Sequence, residues 1–409
     1  MLKIKNFLIF SLILTGFTSP LFVYADEFDD AFNEMDIEVS NQYDTSLKAK
    51  EKKQTEFEQW KEQQQNEYNE YKRAYLEALN SYKSDILKHW DQVEITDKKN
   101  WVEYSDDMKT KRVVDFEKNE IRISIANSQT SDENIQKIID NNLTKILSET
   151  PNGARKNDPV LKAVGSTKAD TDKQSQQAIL SSAFKDDTKT LSAKKALLKK
   201  EAVIKRPATT IATKKEEKPA VVVTIKLPEN SLGRRAAKYE SMVIENASKN
   251  KLDPTLVYAI MHTESAFNPM ARSNVPAFGL MQIVPGSAGR DVAVRLLGED
   301  KILSADYLYN AENNVEAGST YLNILYYSYL KGITDPQSRL YCTIAAYNTG
   351  AGNIAKTFTG DRNLRNALST INGMSSQQVY STLINNLPYQ ETRDYLQRVV
   401  SRQKLYVNL

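Results

Sequence analysis

One acidic side chain stands out by its placement. Asp253-Pro254 opens a helix with a capping residue and a first-turn proline in their preferred positions, and residues 256–265 continue it as Leu-Val-Tyr-Ala-Ile-Met-His-Thr-Glu-Ser. Glu264 lies four residues after Ile260, seven after Val257 and eight after Leu256, so all four share one helix face that is otherwise apolar. A carboxyl on an inward stripe is desolvated, which favours its neutral form and suits it to act as a general acid near neutral pH. The same spacing admits a plainer reading, a glutamate near a helix end that caps it or forms a salt bridge. His262 points about 200° away from Glu264 around the helix and reads as a surface or packing histidine.

Polar residues of matching chemistry follow in order. Phe267-Asn268-Pro269 ends the helix, and Gly279-Leu280-Met281-Gln282-Ile283 occupies a loop-to-helix passage. Further on, Ala345-Ala346-Tyr347-Asn348-Thr349-Gly350-Ala351-Gly352 ends a helix in a Tyr-Asn pair on a glycine-rich turn, where both side chains can face a cleft. Glutamine, asparagine and tyrosine hydrogen-bond hydroxyls and acetamido groups. Each alone is weak evidence; as an ordered set with Glu264 they carry weight. Met281 reads as core filler.

The elements that must position these residues are mostly helical. Of 409 residues, only 14 are Gly and 12 Pro, whereas 21 are Tyr. Beyond residue 227, helical periodicity recurs over 239–250, 317–330, 339–347, 379–384 and 391–406, predicting an all-α domain over 228–409. Ahead of it, residues 101–104, 112–116, 121–125 and 221–225 read as strands, with Lys118-Asn119 as a hairpin turn. A helix capped by Ser131 or Asp132 presents Ile135, Ile138, Ile139, Leu143, Ile146 and Leu147 on one face. These predict a small α+β domain over 100–227, interrupted at about 152–219 by a lysine-rich connector that holds one helix near 191–203 and is otherwise mobile.

Within 26–99, residues 47–88 predict a long amphipathic helix with a seam at Phe57, Trp60, Gln64, Tyr68, Tyr71, Tyr75, Leu79, Tyr82, Ile86 and Trp90. Steps of three, four and four residues average 3.67 per turn, so the seam barely drifts around the axis. The seam must pack on another copy, on the rest of the chain or on a protein partner, and the spacing does not choose among them. The fold class is therefore α-dominated and multidomain: a long N-terminal amphipathic helix, a small α+β domain and an all-α domain.

Several chemistries are excluded. One cysteine, Cys342, rules out an intramolecular disulfide and a multi-thiolate metal site, and two histidines leave little for a histidine-built zinc centre; no metal and no cofactor is implied. Charge is segregated, net −8 over 26–100 and net +9 over 151–227, but the overall +3 does not argue for nucleic acid, which is not expected as a partner. Lys3 and Lys5, the apolar run 7–17 and Val23-Tyr24-Ala25 predict a signal peptide cleaved after Ala25, with an uncleaved signal anchor as the alternative. The mature protein is thus expected in the periplasm, in association with membrane or wall.

The motifs resemble those of a known family. Glu264-Ser265-Ala266-Phe267-Asn268-Pro269, Gly279-Leu280-Met281-Gln282 and Ala346-Tyr347-Asn348-Thr349-Gly350 are similar to the three motifs of the soluble-type lytic murein transglycosylases, glycoside hydrolase family 23, and Tyr395 in Glu391-Thr392-Arg393-Asp394-Tyr395 matches a tyrosine of the last helix. Residues 101–107 and 232–239 resemble the membrane-bound lytic transglycosylase C subfamily, while the aromatic helix before Asn100 lies outside the resemblance. That subfamily is typically lipid-anchored, and no acylatable cysteine stands near the signal, so a lipid anchor is not expected here.

The resemblance implies a lysozyme-like all-α catalytic domain over 228–409 and peptidoglycan glycan strands as the partner. It implies non-hydrolytic cleavage of the β-1,4 bond between N-acetylmuramic acid and N-acetylglucosamine, leaving a 1,6-anhydro end. Glu264 would be the catalytic acid and base, with Tyr347, Asn348, Tyr395 and, by family position, Ser273 and Gln282 binding substrate. A hydrolytic muramidase and a catalytically silent wall-binding scaffold are the alternatives.

Overall fold

The computed structural model describes residues 58–60, 62–126, 130–206 and 220–407. The expected signal peptide and the seam residue Phe57 lie outside the described residues. The chain divides into units at residues 1–62 and 63–409, and the elements below belong to the second.

The aromatic seam finds its partner within this unit. A helix runs through residues 63–89 without interruption. Tyr68, Tyr75, Leu79, Ile86 and Trp90 are buried along it. Tyr75 meets the edge of Phe278 at 6.0 Å between ring centres, and its hydroxyl donates to the Ser273 carbonyl at 3.3 Å. Tyr82 and Trp90 both pack edge-on to Tyr104, and the Trp90 indole N–H donates to the Met108 carbonyl at 2.9 Å. Ring bodies are dry while their polar tips reach backbone carbonyls, the division of labour that amphipathic aromatics allow. Of the three packing choices left open by the periodicity, the seam over 68–90 takes the chain itself.

Five antiparallel strands follow, β1 (Asn100–Tyr104), β2 (Thr110–Asp115), β3 (Glu120–Ile125), β4 (Ala202–Lys205) and β5 (Val221–Lys226), in spatial order β1-β2-β3-β5-β4. Asn119 takes the left-handed conformation in the β2–β3 turn, φ 57°, which asparagine tolerates. Alternation along β3 and β5 turns Ile121, Ile123, Ile125, Val221, Val223 and Ile225 into a shared core with Ile135, Ile139, Leu143 and Ile146 of the Asp132–Ser148 helix, whose N-cap is Ser131. Ala266 and Met270, just past Glu264 in sequence, belong to that same core.

The stretch expected to be a mobile connector is structured from 151 to 206. It carries helices at Pro151–Asn157, Pro159–Ala163, Lys173–Gln176 and Leu191–Lys200, and then β4. Its composition is polar overall, but Val160 with Leu161, Ile179 with Leu180, Phe184 and Leu198 are buried. Three of its helices have Thr150, Asp158 and Thr190 as N-caps. The helix expected near 191–203 stops at Lys200 because 202–205 pairs with β5 as an edge strand.

From Ser231 the chain is helical as expected. Helices at Ala288–Leu297, Ala305–Tyr309, Ala351–Thr359 and Leu364–Asn372 join those visible in the periodicity. The Pro254–Ser265 helix lies at the centre, with every residue from Leu256 to Ser265 buried. A helix apolar all round is an interior helix, which the one-face reading of its sequence understated. It packs against the Gln390–Gln403 and Glu240–Asn250 helices. Among the described residues no helix is long and apolar enough to cross a membrane.

Because Tyr75 is fully buried against Phe278, Tyr75→Ala is expected to cost about 3–5 kcal/mol, as large-to-small aromatic changes in a core do. Denaturant unfolding of the purified protein measures it; a loss under about 1 kcal/mol would show that the helix is not integral to the fold.

Candidate active site

The Pro254–Ser265 helix begins as its sequence demands, the Asp253 carboxylate accepting from the Thr255 N–H at 2.8 Å. It stops abruptly, because Ala266 and Phe267 both take left-handed backbone, φ 49° and 63°. Such residues persist only where their surroundings over-determine them. Here the buried Ser265 hydroxyl does so: it donates toward the Met261 and Leu280 carbonyls (2.9 and 2.8 Å) and accepts from the Phe267 N–H at 3.1 Å. Cations meet the exposed carbonyls of the helix end. Lys99 Nζ reaches the His262 carbonyl at 2.5 Å and Arg402 at 2.9 Å, as the helix dipole favours.

Glu264 is 3 % exposed and sits on the floor of a cleft of about 890 Å³. Lys98, Ser273, Gln282, Tyr347, Asn348, Glu391 and Thr392 line the same cleft. Lys98, from the turn before β1, places its Nζ 3.2 Å from Glu264 Oε2 and 3.6 Å from Glu391 Oε1. The carboxylate is therefore buried as expected, but beside an ammonium rather than in wholly apolar surroundings. The charge of Glu264, more than anything else, raises the Lys98 pKa above the ordinary lysine value. Tyr347 and Tyr395 hydroxyls are pushed far up, first by burial and then by the charge of Glu264.

The loop 272–283 is held from four sides. Arg272, 2 % exposed, pairs with Asp158 at 2.9 Å and donates to the Thr96 carbonyl at 3.4 Å. Fully buried Asn314 accepts from the Met281 N–H at 2.7 Å and donates to the Phe278 and Leu308 carbonyls at 2.8 and 2.7 Å. The Tyr347 hydroxyl donates to the Met281 carbonyl at 2.9 Å, and Ser265 takes Leu280 as described. Gly279, φ 78°, is required: a Cβ there would stand 2.4 Å from both the Leu308 carbonyl oxygen and the Asn314 amide. Gln282 also takes φ 52°, its Nε2 donating to the Gly279 carbonyl at 2.9 Å while its buried Oε1 has no partner.

The structure thus gathers five of the six residues singled out in the sequence around one cleft. Asn348 Oδ1 accepts from the Thr392 hydroxyl at 2.7 Å, leaving its amide N–H groups available. The Ser273 hydroxyl bonds to the Val275 carbonyl, next to the cleft. Tyr395 is the exception: at 2 % exposure it stands behind the cleft wall, its hydroxyl facing Glu264. His262 is a packing residue, bonded through Nδ1 to the Tyr406 hydroxyl at 2.8 Å and stacked near Phe267. Met281 is core, packed over Gly318. Lys98, Ser265, Asn314, Glu391 and Thr392 escaped sequence reasoning. Their polar types are common, and the only signals were the place of Ser265 beside Glu264 and of Glu391 and Thr392 in the motif that holds Tyr395. Among the described residues no group of three or more His, Cys, Asp or Glu is placed to hold a metal ion.

Comparison with known proteins bears on this geometry. Residues 241–369 match the Transglycosylase SLT domain. Residues 48–152 match the N-terminal domain of membrane-bound lytic murein transglycosylase C. That match brings the aromatic helix, left outside the resemblance on residues alone, within it. The enzyme of that name from Sodalis glossinidius is 46% identical over 184 residues, 45% of this chain and 51% of the relative. The one from Cronobacter sakazakii is 45% identical over 184 residues, 45% of this chain and 50% of the relative. The chain thus spans about half the length of the curated relatives it matches. A solved structure, the 70 kDa soluble lytic transglycosylase of Escherichia coli, is 26% identical with a TM-score of 0.32, covering 42% of this chain and 25% of that one.

Two predictions follow from the site. Asn314→Leu strips three hydrogen bonds from buried backbone groups, each worth about 1–3 kcal/mol when left unmet, so a loss of about 3 kcal/mol or more is expected in chemical denaturation. Burial first, then Arg402, lowers the His262 pKa to about 3. The unfolded chain then binds a proton near pH 6.5 that the folded chain refuses, so its contribution to stability is complete above that pH and fades as pH falls toward 3. The drop in Tm between pH 7 and pH 4 should therefore be smaller in His262→Gln than in wild type.

Proposed function

We propose that the chain is a peptidoglycan lytic transglycosylase that cleaves the β-1,4 bond from N-acetylmuramic acid to N-acetylglucosamine without consuming water. One observation carries the reading: a single deeply buried carboxylate, Glu264, on the floor of a cleft whose other lining is mostly amide and hydroxyl groups. In its neutral form Glu264 protonates the bridging oxygen, and the N-acetylglucosamine leaves with that proton. The substrate's own acetamido oxygen stabilises the anomeric carbon, which removes the need for a second catalytic carboxylate. Glu264, now a carboxylate, takes the proton of the muramyl C6 hydroxyl as that oxygen attacks the anomeric carbon. The enzyme ends in its starting state and the product carries a 1,6-anhydro ring.

The polar groups divide the remaining work. Gln282 Oε1, an acceptor lacking a partner, is suited to an acetamido N–H or a sugar hydroxyl. Asn348, oriented by Thr392, offers donors to the sugar. Tyr347 has its hydroxyl committed to the Met281 carbonyl, so it holds the loop and offers its ring to the glycan. Tyr395 orients Glu264 from behind, and Ser273 borders the cleft. The site of action is the wall outside the cytoplasm, in keeping with the membrane-bound relatives and the signal expected over 1–25.

Glu264→Gln should lower the release of soluble muropeptides from purified sacculi by at least about 10²-fold with unchanged circular dichroism, since acid–base help is worth that much. Mass spectrometry of the wild-type digest should show ends lighter by one water than reducing ends. Reducing ends would indicate hydrolysis instead, and sedimentation with sacculi without release would indicate a wall-binding scaffold.

A further inference from the structure

The mechanism requires Glu264 to be neutral when the glycosidic bond breaks, yet in the structure it faces an ammonium 3.2 Å away. An ammonium at that distance occupies the carboxyl oxygen that would face the glycosidic bond. Lys98 must therefore leave Glu264 before Glu264 can donate, and the structure provides a place to go. Glu391, at the start of the Gln390–Gln403 helix, lies 3.6 Å from the same nitrogen, lines the same cleft and has a 68% exposed side chain. Lysine is suited to such a transfer, a compact charge on a flexible stem. Its side chain is 32% exposed, while its backbone is tethered: the Asn268 amide donates to the Lys98 carbonyl at 3.4 Å, and Asp97 Oδ1 accepts from the next two backbone N–H groups at 2.7 Å each.

We propose that Lys98 is a positioning residue that serves as a displaceable counter-ion: it holds Glu264 as an oriented carboxylate in the empty cleft and passes to Glu391 when glycan enters. Release of Glu264 from its counter-ion is thereby coupled to substrate binding, and the N-terminal domain supplies a residue to the active site. Lys98 falls within the stretch that matches the N-terminal domain and outside the one that matches the SLT domain. The inference rests on the lytic reading given above.

The groups that face Glu264 define what a test must separate. From the turn before β1 come Lys98 and Lys99, the latter bonded to the His262 carbonyl and to Glu117. Burial pulls the Lys99 pKa down to about 8. From the Pro336–Thr349 helix comes Tyr347, and from the Gln390–Gln403 helix come Glu391, Tyr395 and Arg402, the last engaged with Glu117 and the His262 carbonyl. Gln282 and Ser273 on the remaining side are uncharged.

The experiment is the pH dependence of kcat/KM and kcat on solubilised glycan strands, for the full chain and for Lys98→Met, Lys98→Arg and Glu391→Gln. The first parameter reports ionisations of the free enzyme and the second those of the complex. In Lys98→Met the alkaline limb of kcat/KM should move up by about one pH unit or more, a tenfold gain in rate well above the limb, while the limb of kcat stays in place. Lys98→Arg should keep the wild-type limb. Glu391→Gln, which removes the receiving carboxylate, should lower kcat several-fold. An unmoved kcat/KM limb in Lys98→Met overturns the proposal, as does an equal shift of both limbs in the Met and Arg variants. Should Lys98→Met fail to fold by circular dichroism, Lys98→Gln is judged by the same criteria. Absence of anhydro products from wild type would instead strike the lytic reading itself, whereas an active wild type with an unmoved limb removes only the role of Lys98.

Discussion

A carboxylate almost sealed from solvent is costly unless another charge answers it, and the contact between Glu264 and Lys98 is that answer. Much of the architecture serves to bring these two atoms together. Glu264 comes from the central helix of the all-α part. Lys98 comes from the turn that introduces the sheet, nearly 170 residues earlier. The turn is tied down by Asp97 within and by Asn268 and Arg272 from outside, so the ammonium approaches from a fixed origin.

The junction between the α+β part and the all-α part is accordingly a polar scaffold rather than a simple apolar contact. Arg272 is buried with Asp158, and Glu117 receives both Lys99 and Arg402. Burial alone would raise the pKa of Glu117, yet Lys99 and Arg402 hold it below the ordinary carboxylate value. Ala266 and Met270 complete the junction by entering the core under the sheet. The turn that terminates the Pro254–Ser265 helix is thus clamped between two cores, which accounts for two successive left-handed residues that are not glycine.

The same economy governs the loop over the cleft. Tyr75 from the N-terminal helix, Asn314 from the Ala311–Asn323 helix, Tyr347 and Ser265 each contact its backbone or its rings. Since the hydrogen bonds go to main-chain atoms, the loop's shape is held independently of most of its side chains, and the buried Gln282 Oε1 is left without a partner. Tyr347, expected from its type to contact a sugar, is a structural strut.

What the sequence determined by itself was local. Helix periodicity and the Asp253-Pro254 start located the central helix; alternation located four strands; the order of Glu264, Gln282, Tyr347 and Asn348 singled out the cleft residues, because side-chain type and spacing along one element carry that information. Tertiary structure alone decided the rest. The polar composition of 151–206 concealed a folded segment, since a few apolar residues are enough once a sheet and a helix exist to receive them. The destination of the aromatic seam was open until the loop bearing Phe278 and the Ser273 carbonyl was in place beside it. Nothing along the chain reveals that residues 98, 264 and 391 will converge; that convergence is a property of packing, and it sets the charge around the candidate acid.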